Sequence, residues 1–289
     1  MTGSGCRLPA AQPAHSADRF FVTDGARLRY RDEGGGPSLL LVHGWTLDLE
    51  MWDPQVQELQ DAFRVVRIDR RGFGLSSGIP NPDRDASDLA ALCHHLEIDR
   101  VALLGMSQGA RSVLDFAIAA PVRVSAIVLD GPPTPESVAA DEDVPVAHYR
   151  ALIRADGIEE FRREWARHPL TQLHTDDART HALLAAMLAR YTGADLAAPS
   201  PRPASSDIRA SLASVAAPVL IVNGELDLPS RLRAAERLGS LLPQVERALV
   251  AAAGHLPNLD NPDAYNALCR TFLNEHANWR NSINRSPHA

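Results

Sequence analysis

"VALLGMSQGARSV", Val101–Val113, decides how this chain is read. An aliphatic run breaks at Gly105-Met106-Ser107-Gln108-Gly109, and small residues with an aliphatic stripe follow. The first half has the continuous apolar character of a strand buried on both faces. The second half has helical spacing. In a Gly-x-Ser-x-Gly turn between strand and helix, small neighbours are needed because other backbone comes close. Such a turn lifts the serine hydroxyl to the carboxyl end of the sheet, where α/β folds bind ligands. The helix that follows aims its N-terminus at the same place, which favours a developing oxyanion. The pentapeptide alone is moderately specific, so the rest of the chain must supply what a reactive serine needs.

Outward from this turn, apolar runs recur. "RFFVT" and "ARLRYRDEG" read as a hairpin around Asp24-Gly25, followed by "SLLLVHG", "FRVVRID", "SAIVLDG", "APVLIVNG" and "ERALVAAAG". With "VALLGM" these make eight strands. Helical stretches lie between them: "DPQVQELQDA", with Asp53 as N-cap and Pro54 at the first helical position, then "DASDLAALCHHLEI", "QGARSVLDFAIAA", "PSRLRAAERLGSLLP" and "NPDAYNALCRTFLNEHA". Alternation of this kind means an α/β fold, a mostly parallel sheet flanked by helices. It breaks once, for about 80 residues after "VLDGPP". There "VPVAHYRALIRADG", "IEEFRREWARHPL" and "DARTHALLAAMLARYTG" read as helices, and "AAPSPRPASSD" as a hinge leading back. The expected organisation is a loose leader over 1–17, a core domain over 18–131 and 213–276, an inserted helical cap over 132–212, and a frayed tail over 277–289.

Composition removes several function classes. The net charge is −7 with both signs dispersed, which argues against a nucleic-acid partner. All 29 basic residues are arginine. Without lysine there is no Schiff base, no lysine-bound pyridoxal cofactor, no Ser-Lys dyad and no Walker lysine. The 3 cysteines, Cys6, Cys93 and Cys269, are far apart and odd in number, against a disulfide framework or a zinc cluster. His94-His95 and the pair His174 and His181 do not form a defensible metal site. No secretory h-region and no membrane-length apolar run is seen, so a soluble, cytoplasmic protein is expected.

A serine nucleophile needs a base, and the base needs an orienting acid. His255 stands in "VAAAGHLPNLDNP", between the last strand and the last helix, where it would hang over the sheet's carboxyl edge. The competing reading is an ordinary loop histidine. For the acid, "LIVNGELDLPS" offers Asp227, three residues past Gly224, while Glu225 is expected to point aside. Asp130, at the end of "SAIVLDG", is the alternative acid. Two backbone N–H donors are required for the oxyanion. Gln108, after the nucleophile, supplies one, and Trp45 in "HGWTLDLEMW" the other. "IDRRGFGLSS" carries Asp69, Arg71 and Ser76, which read as braces at the edge of the site.

His43-Gly44-Trp45, Asp69-x-Arg71-Gly72-x-Gly74-x-Ser76, Gly105-x-Ser107-x-Gly109, Gly224-x-x-Asp227 and Gly254-His255, in this order, resemble the α/β-hydrolase superfamily. The nearest branch is that of small bacterial esterases, enol-lactonases and carbon–carbon bond hydrolases. The resemblance implies a cofactor-free enzyme whose cap forms the substrate pocket. It implies a serine hydrolase acting on a small ester or lactone, with carbon–carbon bond hydrolysis of a diketone-type product, or a non-catalytic small-molecule-binding protein, as alternatives. Two features depart from or narrow the family pattern. Gln108-Gly109-Ala110 stands where many relatives carry Met or Leu and two glycines, so the Gln either adds a polar group near the acyl site or packs. Ser107 argues against the dehalogenases and epoxide hydrolases of this fold, which use aspartate. In the cap, Arg150, Arg154, Arg162, Arg163 and Arg167 read mainly as a solvated face, and Tyr149, Trp165 and Tyr191 as cap core. A homodimer is left open.

Overall fold

The aliphatic runs form a single sheet in the computed structural model, which describes residues 16–134, 143–197 and 208–277. The eight strands are β1 (Arg19–Thr23), β2 (Ala26–Gly34), β3 (Ser38–Val42), β4 (Arg64–Ile68), β5 (Val101–Met106), β6 (Val124–Asp130), β7 (Val219–Gly224) and β8 (Val245–Val250). Their spatial order is β1-β2-β4-β3-β5-β6-β7-β8. β2 runs antiparallel to both β1 and β4, and every pairing from β4 through β8 is parallel. The β1–β2 turn is tight because Asp24 and Gly25 both take positive φ, 44° and 76°.

Because side chains alternate across a strand, each central strand feeds two cores. Leu39 and Leu41 of β3 pack in one layer with Val56 and Leu59 of α1 (Asp53–Leu59) and Phe272 of α10 (Pro262–His276). Leu40 and Val42 pack in the other, with Leu92 of α2 (Pro82–His95), Val113 of α3 (Gln108–Ala119) and Leu238 of α9 (Pro229–Gly239). Each such fully buried aliphatic contributes about 1.5–3 kcal/mol. Two-sided burial is why these strands are unbroken apolar runs.

Between β6 and β7 the described residues contain helices and no strand: α4 (Val146–Asp156), α5 (Ile158–Trp165), α6 (Ala178–Arg190), α7 (Ala194–Ala197) and α8 (Ile208–Ala213). Tyr149, Phe161, Trp165 and Tyr191 are buried together there. Arg162 donates to the Tyr191 carbonyl, capping the end of α6, and Arg163 pairs with Glu160 along its own helix. Arg190 donates to Asp48 (2.7 Å) and Glu50 (2.6 Å), tying α6 to the loop after β3. The expected leader, tail and hinge fall outside the described residues, apart from 16–17, 277 and 197.

Two helix starts differ from expectation. Asp53 is not an N-cap: its φ of −52° and ψ of −43° are helical, and its carboxylate pairs with Arg67 instead. The capping role lies earlier, where Asp48 accepts from the Glu50 N–H (3.0 Å) and opens a 3-10 turn that runs into α1. Helix α2 starts three residues before Asp85, because Asn81 caps it and Pro82 fits its first turn.

Candidate active site

Ser107 sits between β5 and α3 with φ 50° and ψ −114°, a conformation that costs a non-glycine residue about 1–3 kcal/mol. Its glycine neighbours make it feasible. A Cβ at Gly105 would stand 2.4 Å from the Gly109 carbonyl oxygen, and one at Gly109 would stand 2.3 Å from that of Val42. The Ser107 N–H donates to the Asp130 carbonyl (2.7 Å), fastening the turn to the end of β6. The side chain remains half-buried.

The residues expected to be base and acid, His255 and Asp227, lie together. His255, in the loop after β8, places Nδ1 3.1 Å from both carboxylate oxygens of Asp227. Both side chains are buried. Asp227 also accepts from Asn223 Nδ2 (3.1 Å) and from the Leu228 N–H (2.8 Å). Burial alone would raise its pKa. The facing imidazole and these hydrogen bonds outweigh burial and hold the carboxyl below its usual value. A proton on Nδ1 satisfies Asp227 and leaves Nε2 as the imidazole's free lone pair. The His255 ring lies on Gly131, the residue after β6: a Cβ there would be 2.8 Å from its Cε1. Ser107 and His255 thus flank one short stretch, Asp130-Gly131, although among the described residues no hydrogen bond joins the Ser107 hydroxyl to the imidazole.

Asp130 behaves differently. It is fully buried, and neither carboxyl oxygen has a hydrogen-bond partner among the described residues. Burial pushes its pKa well above the usual carboxylate value; the Tyr265 hydroxyl opposes this, and the charge of Asp227 adds to it by less. Glu225 points aside as expected, where it accepts from the Ala252 N–H (3.4 Å).

The two amides expected to bind an oxyanion, those of Trp45 and Gln108, donate to no described residue. Both residues are half-buried. The Trp45 ring is held against Phe161, Trp165 and Tyr191. Its Nε1 donates to Asp195 of α7 (2.6 Å), which also accepts from the Tyr191 hydroxyl (2.6 Å). Thr46, the next residue, has φ 63°, and its hydroxyl accepts from Trp165 Nε1 (2.8 Å). The helices between β6 and β7 therefore hold this loop at two successive residues, Trp45 and Thr46. Sequence reasoning missed Asp195, since nothing local to α7 marks its partner 150 residues away. The Gln108 side chain accepts from Arg70 (2.6 Å), so it belongs to a buried network rather than to apolar packing.

The brace reading of the Asp69 turn holds. Asp69 accepts from the Leu49 N–H (2.7 Å), the Leu75 N–H (2.8 Å) and Arg29 (3.3 Å). Ser76 donates to the Asp69 carbonyl and accepts from the Arg29 N–H. Arg71 forks onto Asp88 (2.8 and 2.6 Å). Leu256, beside His255, is buried in the core. Among the described residues no group of three or more His, Cys, Asp or Glu is arranged to hold a metal ion. Among them, too, no helix is long and apolar enough to cross a membrane.

A mostly parallel eight-stranded sheet, a strained serine turn at its carboxyl edge and an Asp–His pair beside that turn define a class. Residues 37–262 match the family described as alpha/beta hydrolase fold, and the chain belongs to it. The chain is 29% identical over 255 residues to the pimeloyl-[acyl-carrier protein] methyl ester esterase of Pectobacterium atrosepticum, covering 83% of this chain and 96% of that protein. It is 27% identical over 266 residues to a putative 2-succinyl-6-hydroxy-2,4-cyclohexadiene-1-carboxylate synthase of Bacillus subtilis, covering 87% and 96%. Among solved structures it resembles a thermophilic esterase from Thermogutta terrifontis, with a TM-score of 0.73, 27% identity, and coverage of 90% and 99%. Relatives named as esterases support a hydrolase of this fold.

Proposed function

We propose that the protein is a serine hydrolase that cleaves a carboxylic ester or lactone of a small to medium organic substrate through an acyl-enzyme. Ser107 Oγ attacks the carbonyl carbon while His255 Nε2 takes its proton. Asp227 holds the imidazole in the required tautomer and stabilises its cation. The carbonyl electron pair moves onto oxygen and is received by the Trp45 and Gln108 amides. Collapse of that intermediate breaks the bond to the leaving oxygen, which takes the proton back from His255. Water then attacks the acyl-serine by the same route and frees the acid and Ser107.

The observation that carries this reading is the buried Asp227–His255 pair seated on Gly131, one residue past the carbonyl that anchors the Ser107 amide. The unengaged backbone amides of Trp45 and Gln108 support it. The relative named as a methyl ester esterase supports an ester as the substrate class.

Steady-state hydrolysis of p-nitrophenyl acetate and butyrate tests it. Ser107→Ala is expected to lower kcat by about 10³–10⁶-fold with the melting temperature kept. Turnover of a vinylogous diketone in place of both esters would favour the carbon–carbon reading over this one.

A further inference from the structure

Arg70 follows Asp69 at the carboxyl end of β4 and is 3% exposed. Its backbone N–H donates to His43 Nε2 (2.9 Å). With that nitrogen accepting, His43 Nδ1 carries the proton and donates to the Gly44 carbonyl (2.7 Å). The Arg70 guanidinium reaches three acceptors: Asp85 (2.9 Å), Gln108 Oε1 (2.6 Å) and, at a longer 3.4 Å, the same Gly44 carbonyl. It lies 4.6 Å from the centre of the Phe73 ring. Asp85 balances its charge and takes a further bond from Ser112 (2.6 Å).

A peptide unit is planar and trans, so the Gly44 C=O and the Trp45 N–H point in opposite directions from one rigid plate. Whatever holds the carbonyl aims the N–H. Donors to a carbonyl also polarise the amide they share, which strengthens its N–H as a donor. The same guanidinium nitrogen grips the side chain of Gln108, the residue after Ser107, whose backbone N–H is the other expected oxyanion donor.

The geometry points to Arg70 as a positioning residue for the oxyanion-binding amides: one buried cation sets the spacing between the Gly44–Trp45 peptide and the Gln108 turn. This rests on the serine-hydrolase reading above. Arg70 touches no substrate. It acts by fixing where two donors stand, and its effect belongs to the transition state rather than to substrate binding.

The test uses the full chain with p-nitrophenyl butyrate, in wild type, Arg70→Met/Asp85→Asn and Gln108→Met. The double change avoids stranding a buried carboxylate. Gln108→Met leaves the Arg70–Asp85 pair in place, so it reads the clamp even where the double variant fails to fold. Rates are divided by the number of sites that take up a fluorophosphonate on titration to completion, which removes any effect on folded fraction. Expected are a fall in kcat of about 10- to 100-fold for the double variant and about 3- to 10-fold for Gln108→Met, with KM within about threefold. Affinity for a trifluoromethyl ketone, whose adduct carries the oxyanion, should weaken in proportion to kcat/KM. A kcat per titrated site within about twofold of wild type in the variants that fold, or an unchanged ketone affinity beside a lower kcat, would overturn the assignment. Wild type that takes up no fluorophosphonate and hydrolyses no ester would instead sink the serine reading, and this one with it.

Discussion

Asp130 and Asp227 close neighbouring parallel strands on the same edge of the sheet, yet only one of them meets the imidazole. Asp130 is the last residue of β6, still in register with Val222 of β7. Its side chain is fully enclosed, and burial outweighs the opposing Tyr265 hydroxyl and holds its pKa well above the usual carboxylate value. Asp227 stands three residues beyond the end of β7, where the chain has turned. There Asn223, the Leu228 amide and His255 converge on its oxygens. A carboxyl at a strand's last position shares the dryness of the sheet. One carried into the following turn gains the donors that keep it charged. Three residues of chain separate a carboxyl enclosed at a strand end from one paired with an imidazole.

The largest effect expected from this contrast is that of Asp227→Asn. It preserves shape but removes the charge and favours the wrong imidazole tautomer, so kcat should fall by about 10⁴-fold. Adding Asp130→Asn to it should lower the rate no further. A further drop of tenfold or more would mean that Asp130 serves the imidazole when Asp227 is gone. Alone, Asp130→Asn should leave kcat per active site within about threefold of wild type.

Stability against pH sharpens the same comparison. Asp130 binds its proton more tightly folded than unfolded, so above its unfolded pKa of about 3.9 the wild type should lose stability as pH rises. Asp130→Asn should remove that loss, and chemical denaturation at pH 4.5 and pH 7 measures it. Asp227 has the opposite sign. Its lowered folded-state pKa stabilises the native protein above pH ~4, and that contribution fades as pH falls through the folded-state value. Asp227→Asn should therefore flatten the acid end of the same curve, the smallest of these effects.

Much of this was legible in the sequence. Two-sided burial leaves the central strands β3 to β7 as largely aliphatic runs that could be read directly. β1, β2 and β8 carry exposed positions, and the first two could be read as a hairpin around Asp24-Gly25. The strand-to-helix turn could be read from Gly105 and Gly109. The places of Ser107, Asp227 and His255 follow from counting residues past strand ends. What escaped depends on partners far along the chain. Asp195 holding Trp45, and Arg70 holding Gln108, join positions 150 and 38 residues apart. No local pattern distinguishes them from any surface carboxylate or arginine. The misplaced cap of α1 has a local cause: Asp48 opens a 3-10 turn one step upstream, and Asp53 is drawn to Arg67.

The central claim is that Ser107 is the nucleophile and His255, oriented by Asp227, its base. Intact-mass and peptide mapping after treatment with a fluorophosphonate measures this most directly. A single adduct on Ser107 is predicted, forming at least about a hundredfold more slowly in His255→Ala. An adduct on another residue, or continued ester turnover by protein carrying none, would contradict it.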